Sequence, residues 1–439
     1  MTSAAATETR LPPGPRLPLL VQTALFLSAE LWYVPTMHRR YGDVFTLRSG
    51  PGDQRLVFLH RKEHIKEVFT GDPAAFHAGE GNEILKTVMG EHSVLLTDDD
   101  IHLRARKLLM PAFNGASLHS YEGLVAVLAK QEVDLWRPGQ TLVTLDRMNA
   151  LTLEIIMQVV FGVTDEQRLG RLRPVVNRTV NIGTAILLSW AYPRLQRYGP
   201  WRSYMTNQER FDTLLYAEIA ERRAADDLGE RSDVLSRLLT VGSDDDHEPL
   251  SDAELRDQLV TLLLAGHETT ASALSWTLHE LAMNPDVQRR ARTAADEGDT
   301  KYLEAVLKES MRMHAVIDQV RRVLKRDVTV AGYRLPAGTV VVPSVRLAHN
   351  STVNFPDAEV FRPQRFIDGE VASNTWLPFG GGVRRCLGAG FSLMEGTIIL
   401  REVLQRYAVT PTQAGAERER IRNITTVPKR KAQVVLAPR

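Results

Sequence analysis

One stretch, residues 251–283, sets the scale of any fold this chain can adopt. Ser251-Asp252-Ala253-Glu254 has capping-box spacing, in which hydroxyl and carboxylate each take an orphan N–H of the first turn. Periodic leucines carry the pattern to Met283, and Asn284-Pro285 stops it. Such a helix is about 48 Å long at about 1.5 Å of rise per residue. An element of that length crosses the whole molecule, and everything else must pack around it. Its middle is odd: Ala265-Gly266-His267-Glu268-Thr269-Thr270 interrupts the apolar face. Gly266 costs about 1 kcal/mol against alanine in a helix interior, and threonine hydroxyls compete for the i−4 carbonyls. A helix that yields stability there, and sets the acid Glu268 beside the alcohol Thr269, suits small-molecule binding and proton delivery. The bland alternative is a solvated His-Glu face. A zinc-protease reading fails, because the second histidine would fall at 271 and that residue is Ala271.

The only cysteine in 439 residues lies in Phe379-Gly380-Gly381-Gly382-Val383-Arg384-Arg385-Cys386-Leu387-Gly388. Glycines let a backbone run close to a flat ligand. Two guanidiniums and the start of a following helix favour the thiolate, the form that ligates metals. The competing view is a buried structural thiol, the commonest fate of a free cysteine. A single cysteine excludes intrachain disulfides and Cys-rich metal sites, and fits a reducing, cytoplasmic setting.

The remaining pattern is mainly α with small antiparallel β-sheets. A hairpin is expected over 44–60, a short helix over 60–69 and an irregular stretch over 71–100. Helices follow from Ile101 to Val241, with breaks near 114–115, 138–139, 162 and 190–201, and another helix runs over 301–314. No segment reads as a linker, so residues 1–439 are taken as one domain. The net charge of +1 gives no reason to expect nucleic acid. Residues 1–16 are polar and Pro-rich, and the apolar run Leu17–Leu27 is too short for a membrane anchor. It reads as a surface helix.

Two further pairs mean little alone. Glu309 and Arg312 are an i, i+3 ion pair, ordinarily worth a few tenths of a kcal/mol. His102 and Arg106 share a helical face at i, i+4, and become a carboxylate clamp only beside an anionic ligand.

Taken together, these residues resemble the cytochrome P450 family of haem-thiolate monooxygenases. The decapeptide matches the FxxGxRxCxG loop through Phe379, Gly382, Arg384, Cys386 and Gly388. Glu309 and Arg312 match ExxR, Phe361–Phe366 resembles the segment whose arginine, here Arg365, completes a Glu-Arg-Arg triad, and residues 265–270 resemble the oxygen-activation motif. The resemblance implies the P450 fold, with haem b between the central helix and the Cys-loop helix. It implies Cys386 as the axial ligand of iron and Arg384, His102 and Arg106 as propionate contacts. Arg322 is a further such contact, with Arg321 as rival. Ala265, Phe379 and Gly388 would line the cofactor, and Glu268 and Thr269 would route protons. Glu309, Arg312 and Arg365 would brace the loop. In place of the family's proline-rich turn stands His314-Ala315-Val316-Ile317-Asp318-Gln319, which makes Val316, Ile317 and Gln319 candidate pocket residues, with Leu262 of the central helix a further one.

The implied activity inserts one oxygen atom of O2 into a hydrophobic small molecule, by hydroxylation or epoxidation. With no length left for a flavin or iron–sulfur domain, electrons would come from a separate ferredoxin- or flavodoxin-type donor and its reductase. A monomer is expected, with a lid around Trp190–Trp201. Haem-dependent coupling chemistry, gas sensing and haem-free thiol chemistry stand as alternatives.

Overall fold

The computed structural model describes residues 11–50, 52–162, 166–180, 194, 197–241, 248–413 and 415–438. Most of the expected lid, residues 181–193, 195 and 196, lies outside the described residues.

The central helix runs Asp252–Met283, and both halves of its capping box form between Ser251 and Glu254. It is buried on nearly every side because it is the axle of the core. Helix Thr144–Phe161 lies along it, buried almost all round. Gly266 is explained at this crossing. A Cβ there would stand 3.0 Å from Ile156 Cδ1 and Cγ1, so the glycine serves helix–helix approach. The sequence reading had assigned that gap to a ligand. Thr152 Oγ1 spans the same crossing, donating to the main-chain oxygen of His267 at 3.0 Å.

Helix Thr300–Met313, capped by Asp299, and helix Ala389–Arg406 pack on the other side of the axle. The latter follows the cysteine loop directly. Thr270 and Ser392 hydroxyls meet at 3.2 Å, which ties the axle to this helix.

A five-stranded sheet flanks the helices in the order Val44–Ser49, Gln54–Leu59, Val340–Pro343, Arg322–Leu324, Phe76–His77. The expected hairpin forms, pairing Val44 with Leu59 through to Ser49 with Gln54. The N-terminal helix is longer than the apolar run suggested. It spans Leu19–Tyr41, passes through Pro35 with a kink at Ala29, and buries Phe26, Tyr33, Val34 and Met37. Strand Thr141–Val143 escaped sequence reading because its partner, Gln433–Pro438, lies at the far end of the chain. Among the described residues, no helix is long and apolar enough to cross a membrane.

Candidate active site

Between Leu255 and Ala282 every residue is buried or partly buried except Ala265, which is exposed in the middle of the core-forming helix. An exposed alanine there marks an uncovered stretch of the helix in the middle of its length. Thr269, one turn on, is partly exposed, and its Oγ1 donates back to the Ala265 oxygen at 2.7 Å. Glu268 points elsewhere. It is buried, with Oε1 3.3 Å from Arg422 Nε at the turn of the C-terminal hairpin. Burial raises its pKa against the opposing pull of Arg422, Thr425 and Asn423. His267 is also buried and turns toward Leu263 O.

Cys386 has an exposed side chain, yet protein surrounds its sulfur closely enough that burial pushes the thiol pKa up. Both observations hold for a residue open to solvent on one side and packed against protein on the others. The Gly388 N–H, Arg106 and Arg385 pull the pKa down without prevailing. The expected acidification by flanking cations is therefore overridden by desolvation, and the neighbouring arginine that acts on sulfur is Arg385 rather than Arg384.

Arg384 reaches the other way. It donates to Thr97 O at 2.6 Å and Val94 O at 3.2 Å and bonds the Asp98 carboxylate. It shares a pocket with His102 and Arg322, floored by Phe69 and Gly381. Burial depresses His102 to about 4, with Arg384 and Arg106 adding to the effect. Arg322 is brought down to about 10, by burial first and then by Arg384. With His102 neutral, the pocket offers an anion the guanidiniums of Arg322 and Arg384, the latter shared with Asp98, and the imidazole as a hydrogen-bonding group. Arg322 enters it from strand Arg322–Leu324, whereas Arg321 packs over the Phe26 ring of the N-terminal helix. The two arginines therefore face different surroundings.

The glycines of the loop have a partner other than a ligand. A Cβ on Gly381 would fall 2.3 Å from the Phe69 ring, and one on Gly382 (φ 65°) would fall 2.2 Å from Phe69 O. A Cβ on Gly388 would meet nothing within 4 Å. The loop closes on itself through Cys386 N–H to Phe379 O at 3.0 Å.

Beneath it lies the triad. Glu309 Oε1 accepts from Arg365 Nε at 3.0 Å, Arg312 Nη2 at 3.0 Å and the Arg362 N–H at 2.9 Å, and Oε2 accepts from Arg312 Nε at 2.8 Å. All three side chains are fully buried. Removing one partner from such a set costs roughly 3–5 kcal/mol. The i, i+3 pair that looked trivial in sequence is the most enclosed ionic cluster around the loop.

The candidate pocket residues divide. Val316 O accepts the Thr426 N–H at 2.8 Å, which ties it to the C-terminal hairpin. Leu262 is partly buried on the main core, and Ile317 is partly exposed. Gln319 instead donates to Glu30 Oε1 at 2.5 Å, facing the N-terminal helix. Sequence reasoning missed Glu395. It is fully buried beside Thr270, and burial raises its carboxyl well above the ordinary range. It also missed His349, which links the triad to the loop. A charged or imidazole side chain in an otherwise apolar run was the only signal either gave.

An accessible cysteine, an exposed stretch of the central helix and a pocket carrying Arg322, Arg384 and His102 suit a dianionic group with a thiolate-ligated metal. Comparison with known proteins points the same way. The family model described as Cytochrome P450 matches residues 12–436. Cytochrome P450 135A1 of Mycobacterium tuberculosis is 54% identical over 436 residues, covering 99% of this chain and 97% of its own. Cytochrome P450 135B1 of Mycobacterium bovis is 42% identical, covering 97% and 91%. Among solved structures, the retinoic acid-bound cyanobacterial CYP120A1 aligns with a TM-score of 0.84 at 24% identity, covering 98% of this chain and all of that one. The chain belongs to the cytochrome P450 family, the haem-thiolate monooxygenases.

Proposed function

We propose that this monooxygenase acts on a hydrophobic small molecule, by hydroxylation or epoxidation, with haem b held by Cys386. The observation that carries the cofactor reading is the pocket uniting His102, Arg322 and Arg384 beside the cysteine loop. Those side chains, with Arg106, would hold the two carboxylates. Ala265, Phe379 and Gly388 would line the faces. Bound haem would supply the oxygen chemistry, in which substrate, O2, two electrons and two protons give the oxygenated product and water.

The chain supplies the rest. Burial works against the Cys386 thiolate, and a metal beside it would stabilise that form. Thr269 stands on the open face of the central helix and can hold a proton at Oγ1. Glu268, whose pKa burial raises, would serve as the acid of the proton route on the neighbouring turn. Leu262, Val316 and Ile317 would present apolar surface to substrate, and Gln319 would act at one remove, through Glu30. Electrons would come from a separate ferredoxin- or flavodoxin-type protein docking on the cysteine side, where Arg385 is exposed. A monomer in the cytoplasm belongs to the same reading.

A ligand screen tests the substrate class. Apolar compounds of drug size are expected to shift the haem spin state, and small ionic ones to leave it unchanged. Shifts produced by ionic compounds alone overturn the hydrophobic assignment.

A further inference from the structure

Outside the cysteine site, three side chains converge at the corner where the N-terminal helix meets the sheet. His38 Nε2 and His60 Nε2 lie 2.8 Å apart, His60 Nε2 and Asp43 Oδ1 3.1 Å, and His38 Nε2 and Asp43 Oδ1 3.7 Å. The haem-dependent activity uses none of them.

The placement follows from local structure. Val44 pairs with Leu59 at the end of the hairpin, so Asp43 and His60 face each other one step beyond the last pair. Gly42, at φ 89°, turns the chain out of the helix, and its N–H returns to His38 O at 2.8 Å. That turn sets the last helical coil over the hairpin end. The two imidazole planes stand at 89° to each other. Arg61 Nε bonds Asp43 Oδ2, which leaves Oδ1 turned to the rings.

Protons cannot satisfy this triangle. A carboxylate oxygen only accepts, and a neutral imidazole nitrogen either donates or accepts. One N–H on His60 Nε2 would have to serve both His38 and Asp43. His60 is 5% exposed, and its Nδ1 finds no partner among the described residues. A cation would accept all three lone pairs at once. Ligands at about 2.0–2.1 Å from tetrahedral zinc sit about 3.3 Å from one another, and the three observed separations bracket that edge.

We propose that His38, Asp43 and His60 form a divalent transition-metal site of the zinc class. It binds through two imidazole Nε2 atoms and one carboxylate oxygen, and fastens the end of the N-terminal helix to the sheet. The side chains of His38 and Asp43 are 29% and 35% exposed, which opens the site to solvent and leaves a fourth position for water.

The test uses untagged, haem-loaded protein, stripped with chelator and titrated with ZnCl2 by calorimetry. One equivalent is expected to bind and to raise the melting temperature. His38→Gln and Asp43→Asn are expected to weaken binding by at least about tenfold and to abolish the thermal shift, while the haem spectrum stays as in the parent. Both positions are partly exposed, so these variants remain informative if His60→Ala fails to fold. No saturable binding, or equal binding in parent and variants, overturns the proposal.

Discussion

The Nε2 of His349 accepts the main-chain N–H of Leu377 at 2.8 Å. The same residue offers its carbonyl to Arg312 Nη1 at 3.1 Å. One buried histidine thus joins the Glu309 triad to the segment that enters the cysteine loop, since Leu377 O in turn receives the Gly380 N–H at 3.0 Å. Burial, reinforced by Arg312, takes the His349 pKa down to about 3, which keeps the ring neutral and Nε2 free to accept.

His349→Leu strands the Leu377 N–H in the interior. The expected loss is about 1–3 kcal/mol, read as a lower urea midpoint, with faster transfer of haem to an acceptor apoprotein. His349→Gln, which restores an acceptor, should recover part of the haem retention. Equal haem loss in parent and His349→Leu removes the linkage.

Gly381→Ala should impair folding of the loop through collision with the Phe69 ring. In a Phe69→Ala background much of the damage should disappear, as a double-mutant cycle on haem content would read. Gly382→Ala should not be rescued in this way, because its Cβ meets a backbone oxygen at positive φ. Strictly additive effects at Gly381 and Phe69 would return the glycines to the cofactor.

His314 lies between Glu280 Oε1 at 2.8 Å and Glu419 Oε1 at 3.3 Å, stacked on Trp276 with centroids 3.9 Å apart. Burial opposes its charge, but the two carboxylate hydrogen bonds prevail and raise its pKa above 6.5. Its contribution to stability is complete below that unfolded value and fades as pH rises through the folded one. Glu280 and Glu419 are held below 4.5, burial being outweighed by hydrogen bonds to His314, so their contribution fades as pH falls. Melting temperatures of the parent should decline on the alkaline side, and His314→Gln should flatten that decline. Parallel pH profiles would contradict the assignment.

Thr269→Ala should leave haem binding and ligand-induced spin shifts intact while diverting electrons to hydrogen peroxide. The ratio of product formed to NADPH consumed reads this directly. Unchanged coupling would free Thr269 of its proton-handling role.

Much of the site was legible because its chemistry is local. Cys386 and its glycines, Glu309 with Arg312, and Glu268 with Thr269 each fall within one short stretch, and the central helix announces itself by its cap. What stayed hidden depends on partners distant in sequence. Gly266 answers to Ile156, Gly381 to Phe69, and Thr141–Val143 to a strand at the chain's end. No periodicity encodes such pairings. The thiol's electrostatics were misjudged for a related reason: neighbours in sequence suggested two helpful arginines, whereas in space Arg384 turns to Asp98 and burial governs the sulfur.

The central claim is that Cys386 ligates haem iron. Reduced protein treated with carbon monoxide should give the thiolate-type difference band, and Cys386→Ala should bind haem weakly and lack that band. A variant without Cys386 that retains the thiolate-type band would contradict the account.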